Sequence, residues 1–500
     1  MQHWDVIIAG GGSAGLAAAL TSARAGARTL LIERQTKLGG MGVNALVHTF
    51  CGLFHPDTSQ PWRWLNAGLA QEVGEQMMER TGQSAPDLMG RVYVLRQHPS
   101  LFASIADELC TAQPLLTRLS GAEWTHLQAD NSGWVATVCS RGNSEQHQAC
   151  AVIDTTGDAT GARFLGTEYW QQAPAERLYR PAYVCGLPQV AGTHDEGWRL
   201  SLGAMIVRGI RSGALPETAI GAAFRDSPFS GEMFMTIDLE AGQVLWDPFD
   251  AHKRAEMESA GRHTALSLWT YLRVQHEDFK HCPPPSWPAQ AGIRETACYI
   301  GDHILTGDEL ASCQRFENEI ALAGWPMEKR ETARGPKFRF FDRPEPAGIP
   351  PGCLMNQRLP GLYFAGRCLS ADHEALASLR QDKFDLVLTY DYESLNTLIA
   401  DTARSLQAQL AQVGIDANDG KSLTMLVHSM GGLVSLYFAL WHPRVFGQIA
   451  AMLLGMIDYC NSVDTQYLFF AERPLFGVTL VSGNRREAVS IDRLYAGAGY

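Results

Sequence analysis

Apolar and glycine-rich stretches alternate through residues 5–33, DVIIAGGGSAGLAAALTSARAGARTLLIE. Val6–Ile8 is a short unbroken apolar run with glycine just behind it, which predicts a strand buried on both faces. Ala14 to Ala25 is rich in helix formers, Gly26 ends that helix, and RTLLI supplies a second strand closed by Glu33. Apolar strands return in AVIDTTGDATGARFLG (151–166) and in GLYFAGR (361–367), where a small-residue turn follows. From Phe384 the pattern changes. FDLVLTYDYE predicts a strand, and 394–413 predicts an amphipathic helix, with Leu395, Leu398, Ile399, Ala403, Leu406 and Leu410 at helical spacings. SLTMLV then predicts a strand and GGLVSLYFALWH a helix, while ERPLFGVTLVSGNRREAVS predicts one or two strands around a turn at SGN.

Chemistry first enters at Gly10, Gly12 and Gly15, a G-x-G-x-x-G set between the first strand and the first helix. The three glycines serve a tight turn, close backbone approach to a pyrophosphate, and close helix-to-sheet packing, in that order. The helix N-terminus presents free N–H groups to phosphate. Glu33 stands about twenty residues on, where a carboxylate accepts hydrogen bonds from ribose hydroxyls and repels a 2′-phosphate. The turn alone does not choose between FAD and NAD, and no second such motif follows it.

Five stretches, the last two taken as a pair, resemble the FAD-dependent oxidoreductase family that shares a glutathione-reductase-like FAD fold. They are the glycine turn, RQTKLGGMGVNALVHTFCGLF (34–54) with its LGG segment, the T-G-D of 151–166, and the pair IRETACYIGDHILTGDEL (293–310) and GLYFAGRCLSADHEALASLR (361–380). They occur in the family's order. The resemblance implies FAD as cofactor, its ADP half held by Gly10, Gly12, Ser13, Gly15 and Glu33. Arg34, Gly39, Gly40, Asp158, Gly366 and Arg367 are then expected to touch the cofactor or to hold its loops, with capping of the following helix as a second reading of Asp158.

The expected activity is two-electron, hydride-type oxidation of a small molecule, followed by transfer to an unidentified acceptor. Candidate catalytic groups are His48, Arg294 and His373. Histidine moves protons near neutral pH and arginine anchors carboxylates through two parallel hydrogen bonds. Each also has a structural reading: His48 as a satisfied loop histidine, Arg294 paired to Asp or Glu, His373 as a helix cap. His276, His281 and Cys282 gather near a proline run without zinc spacing, so no metal is expected.

The family resemblance stops at Leu379–Arg380 without a linker. Residues 384–440 instead resemble the middle of a lipase-like α/β-hydrolase, with Ser429 in MLVHSMGGLV at the position of a nucleophile. The required order is Ser, acid, His; His442 is the sole histidine downstream and Val427 crowds the turn, so esterase chemistry is a rival reading rather than the main one. A non-catalytic flavin-binding protein is the other rival.

The bulk numbers narrow partners. A formal charge of −12 disfavours nucleic acid. Eleven unpatterned cysteines predict buried free thiols in a reducing compartment. No apolar run reaches the roughly 18–20 residues of a membrane span and no secretory leader is visible, so the expected location is cytoplasmic. The expected fold is α/β. A Rossmann-like FAD-binding domain (1–54 with 140–180 and 291–380) carries an inserted substrate region (55–139 with 181–290), and a partial α/β-hydrolase-like segment (381–500) follows.

Overall fold

The structure, a computed structural model, describes residues 1–192, 194–239, 247–332, 335–379, 478–482 and 485–489. They fall in two units, 1–394 and 395–500. β1 (Gln2–Ala9) is exposed at its start and buried from Ile7 to Ala9, as its apolar run requires. α1 (Ser13–Arg24) follows the glycine turn, and β2 (Thr29–Glu33) is buried throughout and runs parallel to β1 in the register Val6↔Thr29 to Ala9↔Ile32. The short α2 (Gly40–Asn44) precedes α3 (Leu69–Thr81) and α4 (Pro99–Thr111). These bury Val73, Met77, Phe102 and Ile105 in one core with Leu16, Leu20 and Leu31.

β3 (Leu116–Ser120) pairs parallel with β2. β4 (Ala122–Asp130), β5 (Gly133–Ser140) and β6 (Asn143–Asp154) form an antiparallel meander. Arg141 and Gly142, both at positive φ, make the two-residue turn between β5 and β6. β6 then continues parallel to β1. Residues 116–139, expected in the substrate region, lie in the main sheet instead, and α3 and α4 pack on the same core as α1.

After the short helix α5 (Thr160–Leu165) comes a second, antiparallel sheet. Its central strand lies between β7 (Ala182–Pro188) and β8 (Ala222–Asp226) and is β9 (Glu232–Asp238). Strand alternation divides it into two faces. Met233, Met235 and Ile237 join Tyr183, Cys185, Leu187 and Phe224 in a core with Ala265, Leu268 and Leu272 of the long helix α6 (Ala251–Gln275). Glu232, Phe234, Thr236 and Asp238 face the other way.

The chain returns as β10 (Leu362–Phe364), parallel to β6, so Ala9, Glu33, Asp154 and Phe364 end at one edge of the main sheet. That is the edge at which open α/β sheets bind ligands. In the second unit, β11 (Val478–Ser482) and β12 (Arg485–Val489) form an antiparallel hairpin, in keeping with the strands expected around SGN. Ser429 and the rest of 380–477 lie outside the described residues. The ten cysteines among the described residues are free, seven of them buried. No helix among the described residues is long and apolar enough to cross a membrane.

Asp154, fully buried at the end of β6, accepts hydrogen bonds from Thr156 N (2.9 Å), Thr156 Oγ1 (2.7 Å), Gly161 N (2.8 Å) and Tyr299 Oη (2.9 Å). Burial raises its pKa, and these donors oppose the rise. Tyr299 also stacks on Phe364 at 4.1 Å. Tyr299→Phe keeps the ring but withdraws one donor from a buried carboxylate. It is expected to cost about 1–3 kcal/mol, read as a lower urea midpoint with unchanged slope. An unchanged midpoint contradicts this role for the hydroxyl.

Candidate active site

The glycine turn is held from three sides. Gly10 has φ +103°, and a Cβ there would fall 2.5 Å from the Thr155 carbonyl oxygen. A Cβ on Gly15 would fall 1.7 Å from the Gly10 carbonyl oxygen, so α1 can start this close to β1 only with glycine at that position. Thr155 Oγ1 donates to the Gly10 carbonyl at 2.7 Å, and Gly39 N donates to the Gly11 carbonyl at 2.8 Å. The α1 N-cap, Gly12, supplies no side-chain cap, and the first turn carries no acid. Its N–H groups are therefore left for an outside anion. Ser13 is buried in that turn.

Glu33 is 6% exposed. It accepts from Gly11 N at 2.6 Å and Gln35 N at 2.7 Å. Burial raises its pKa, against the pull of those two N–H groups and Arg34. Two donors leave part of a carboxylate's four acceptor positions open.

The T-G-D turn is tied in by charge. Arg367, buried behind Gly366, donates to the carbonyls of Gly157 (2.9 Å) and Ile293 (2.7 Å) and sits 3.4 Å from Asp158. Arg34 lies 3.6 Å from the other Asp158 oxygen. The capping reading of Asp158 is corrected: Ala159 is the α5 N-cap, without a side-chain cap, and Asp158 is committed to two arginines. Gly40 opens α2 directly after Gly39. The residues expected at the cofactor thus form one chain of contacts through Gly10, Gly11, Glu33, Gly39, Asp158 and Arg367.

His48 stacks on Phe234 with ring centroids 4.8 Å apart and planes 5° apart. Its Nδ1 lies 3.3 Å from the Leu46 carbonyl oxygen, which assigns the proton to Nδ1 and leaves Nε2 an acceptor. Burial, first, and the Arg225 charge push its pKa down to about 4. Arg294 pairs with Asp238 at 2.8 Å and donates to the Arg180 carbonyl, which is the structural pairing open in the sequence. Asp238 also pairs with Arg330 at 2.6 Å, and Arg330 with Glu328 at 2.6 Å. Burial would raise the Asp238 pKa; the two arginines outweigh it and hold the carboxyl below its usual range.

His48 and Arg294 therefore meet the same face of β9, at Phe234 and Asp238. His373 does not. It begins α7 (His373–Leu379), stacks on Tyr179 at 4.2 Å, and its Nδ1 lies 2.8 Å from Glu295 Oε1. Capping of α7 falls to Asp372, which accepts from Ala375 N at 2.7 Å. Sequence reasoning missed Glu295, Asp238, Arg330 and Phe234. Only Glu295 had a signal: alternation along the extended RET segment sends it to the opposite side from Arg294. His276 packs against Trp198 and Phe279, Cys282 enters the core and His281 is exposed. A separate open groove of about 280 Å³, lined by Pro56, Arg91, Phe340 and Arg343 among others, contains none of the site residues.

A family model described as FAD dependent oxidoreductase matches residues 5–383. The chain belongs to this family of FAD-dependent oxidoreductases. The match stops where the sequence resemblance stops. Solved structures similar to the chain include a geranylgeranyl bacteriochlorophyll reductase-like protein from Thermoplasma acidophilum (12% identity, 89% of this chain and 84% of that one, TM-score 0.37). Others are an anhydrotetracycline hydroxylase from Streptomyces rimosus (14%, 98% and 83%, 0.37) and a p-nitrophenol 4-monooxygenase from Pseudomonas putida DLL-E4 (12%, 61% and 71%, 0.36). At these identities and scores they carry no argument about substrate.

The residues fit FAD. An uncapped helix start accepts a diphosphate, and Glu33 retains acceptor capacity for ribose hydroxyls. Glu33→Gln turns an amide N–H toward the N–H of Gly11 or Gln35 and is expected to weaken FAD binding about tenfold, measured as released cofactor on dilution. Equal retention contradicts the assignment. His48 predicts a pH effect. Its pKa of about 4 lies below the ordinary 6.5, so the unfolded chain takes up the proton first. The His48 contribution is intact above pH 6.5 and falls away as pH drops toward 4, by about 3 kcal/mol in all. In urea titrations across that window, His48→Gln is expected to flatten the decline; a parallel decline contradicts it.

Proposed function

We propose that this FAD-dependent oxidoreductase oxidises a small molecule by hydride transfer and delivers the two electrons to a second acceptor, such as oxygen or a quinone. The supporting observation is the convergence at β9. The 39–48 segment reaches Phe234 through His48, and Asp238 on the same face holds Arg294, next in sequence to the Ile293 carbonyl that Arg367 binds. A substrate on this face meets both the second sheet and the loops assigned to the cofactor.

FAD bound by Gly10, Gly12, Ser13, Gly15, Glu33, Arg34, Gly39, Gly40, Asp158, Gly366 and Arg367 supplies the two-electron chemistry. Residues 181–290 form most of the substrate region. His48, neutral at pH 7, offers Nε2 as a hydrogen-bond acceptor in an apolar setting. Arg294 acts through Asp238 as a positioning residue. His373 carries its Nδ1 proton toward Glu295, which fixes the tautomer; lying off the β9 face, it acts through Glu295 on the adjoining Arg294 as a positioning residue.

The purified protein's visible spectrum, followed by anaerobic titration with a panel of small-molecule donors, tests this reading. Oxidised-flavin bands that bleach with a donor are expected. His373→Asn should slow that bleaching by about a hundredfold while leaving photochemical reduction unchanged. A colourless protein, or a variant reduced by donor at the parent rate, counts against the reading.

A further inference from the structure

We infer that Arg225 anchors a carboxylate of the substrate, which makes the substrate a small carboxylic acid. This inference rests on the proposal that substrate lies on the outward face of β9.

Arg225 is directly across from Phe234 in the β8–β9 register, so the two side chains share that face. Phe234 is also the residue on which His48 stacks, and the Arg225 charge is felt at His48. Neighbouring cations are matched. Arg199 pairs with Asp226 at 2.7 Å, Arg330 with Asp238 and Glu328, and Arg294 with Asp238. Asp226, the next residue in β8, points to the opposite face and is taken by His194 and Arg199. The Arg225 side chain makes no hydrogen bond and no ion pair among the described residues.

Arg225 is exposed; desolvation first, then Arg199 and Arg330, lower its pKa, while Asp226 and Glu328 act the other way. Its guanidinium is therefore free to take an incoming anion. The planar fork of arginine matches one carboxylate through two parallel hydrogen bonds. On that face Thr236 is half-buried, while Phe234 and Val184 are buried, Phe234 beneath the His48 ring. No other unpaired cation is needed, since a monoanion balances the site.

The experiment uses the holoprotein and two probe pairs: benzoate with benzamide, and isobutyrate with isobutyramide. Binding is read by calorimetry and by perturbation of the flavin spectrum. At least one acid is expected to bind with its amide binding at least about tenfold more weakly. Arg225→Leu should weaken the acid by a similar factor, and Arg225→Lys should retain part of the affinity. FAD content and thermal midpoint should stay at parental values, because the Arg225 side chain bonds to no other described residue. The inference is overturned if acid and amide bind alike, if neither acid binds, or if Arg225→Leu leaves the acid's affinity intact. It is also overturned if Arg225→Leu loses FAD along with the acid, because that makes the residue structural. Absence of flavin from the parent would count against the cofactor reading alone, since calorimetry still measures whether Arg225 holds the acid.

Discussion

A carboxylate shut away from water ties the nucleotide half of this protein together. Asp154 ends β6 inside the sheet, where an ionised or neutral carboxyl is costly unless its oxygens are bonded. Five donors gather on it, from Thr156, Gly161, Tyr299 and the Cys368 thiol. Satisfying it bends the chain sharply after β6 and brings Thr155 under Gly10, where Thr155 Oγ1 bonds the glycine turn. It also fixes Tyr299 against Phe364 of β10. Three strands are thus brought to one edge by a single buried group.

A second charge arrangement joins the antiparallel sheet of β7–β9 to that edge. Asp238 sits at the end of β9 between Arg294 and Arg330, nearly without solvent contact. A lone buried aspartate would be strongly unfavourable, and two arginines make it a cross-link instead. Arg294 is followed by Glu295, which turns to His373, and preceded by Ile293, whose carbonyl holds Arg367. One extended run of three residues therefore connects Asp238 on β9, His373 and the loop at Gly157.

The βαβ start and the ligand edge were legible because their physics is local. Apolar runs, glycines and one acid at fixed spacing are all that the turn at Gly10–Gly15 needs. The place of 116–139 was not legible, since short strands with exposed ends read alike whether they pair in one sheet or another; packing with β2 and β6 decided it. Asp158 was expected at the cofactor or its loops, with capping as a second reading; its partners Arg34 and Arg367 lie far along the chain, the second of them 209 residues away. Arg294 could be read as substrate-binding or structural, and only the position of Asp238, on a distant strand, resolves its contacts. Asp238 and Arg225 had no signal at all, because which face of β8 or β9 a residue occupies depends on register. Gly39 and Gly40, by contrast, were visible as a pair and do meet the glycine turn through Gly11.

The proposed function depends on FAD being held at the Gly10–Gly15 turn and Glu33. The most direct measurement is the visible spectrum of the purified chain beside that of its Gly15→Val variant, each with cofactor extracted and identified. The parent should show flavin absorption and release FAD, and the variant, whose Cβ has no room against the Gly10 carbonyl, should show neither while its β7–β9 sheet still folds. A colourless parent that takes up no FAD, or a variant as yellow as the parent, would contradict it.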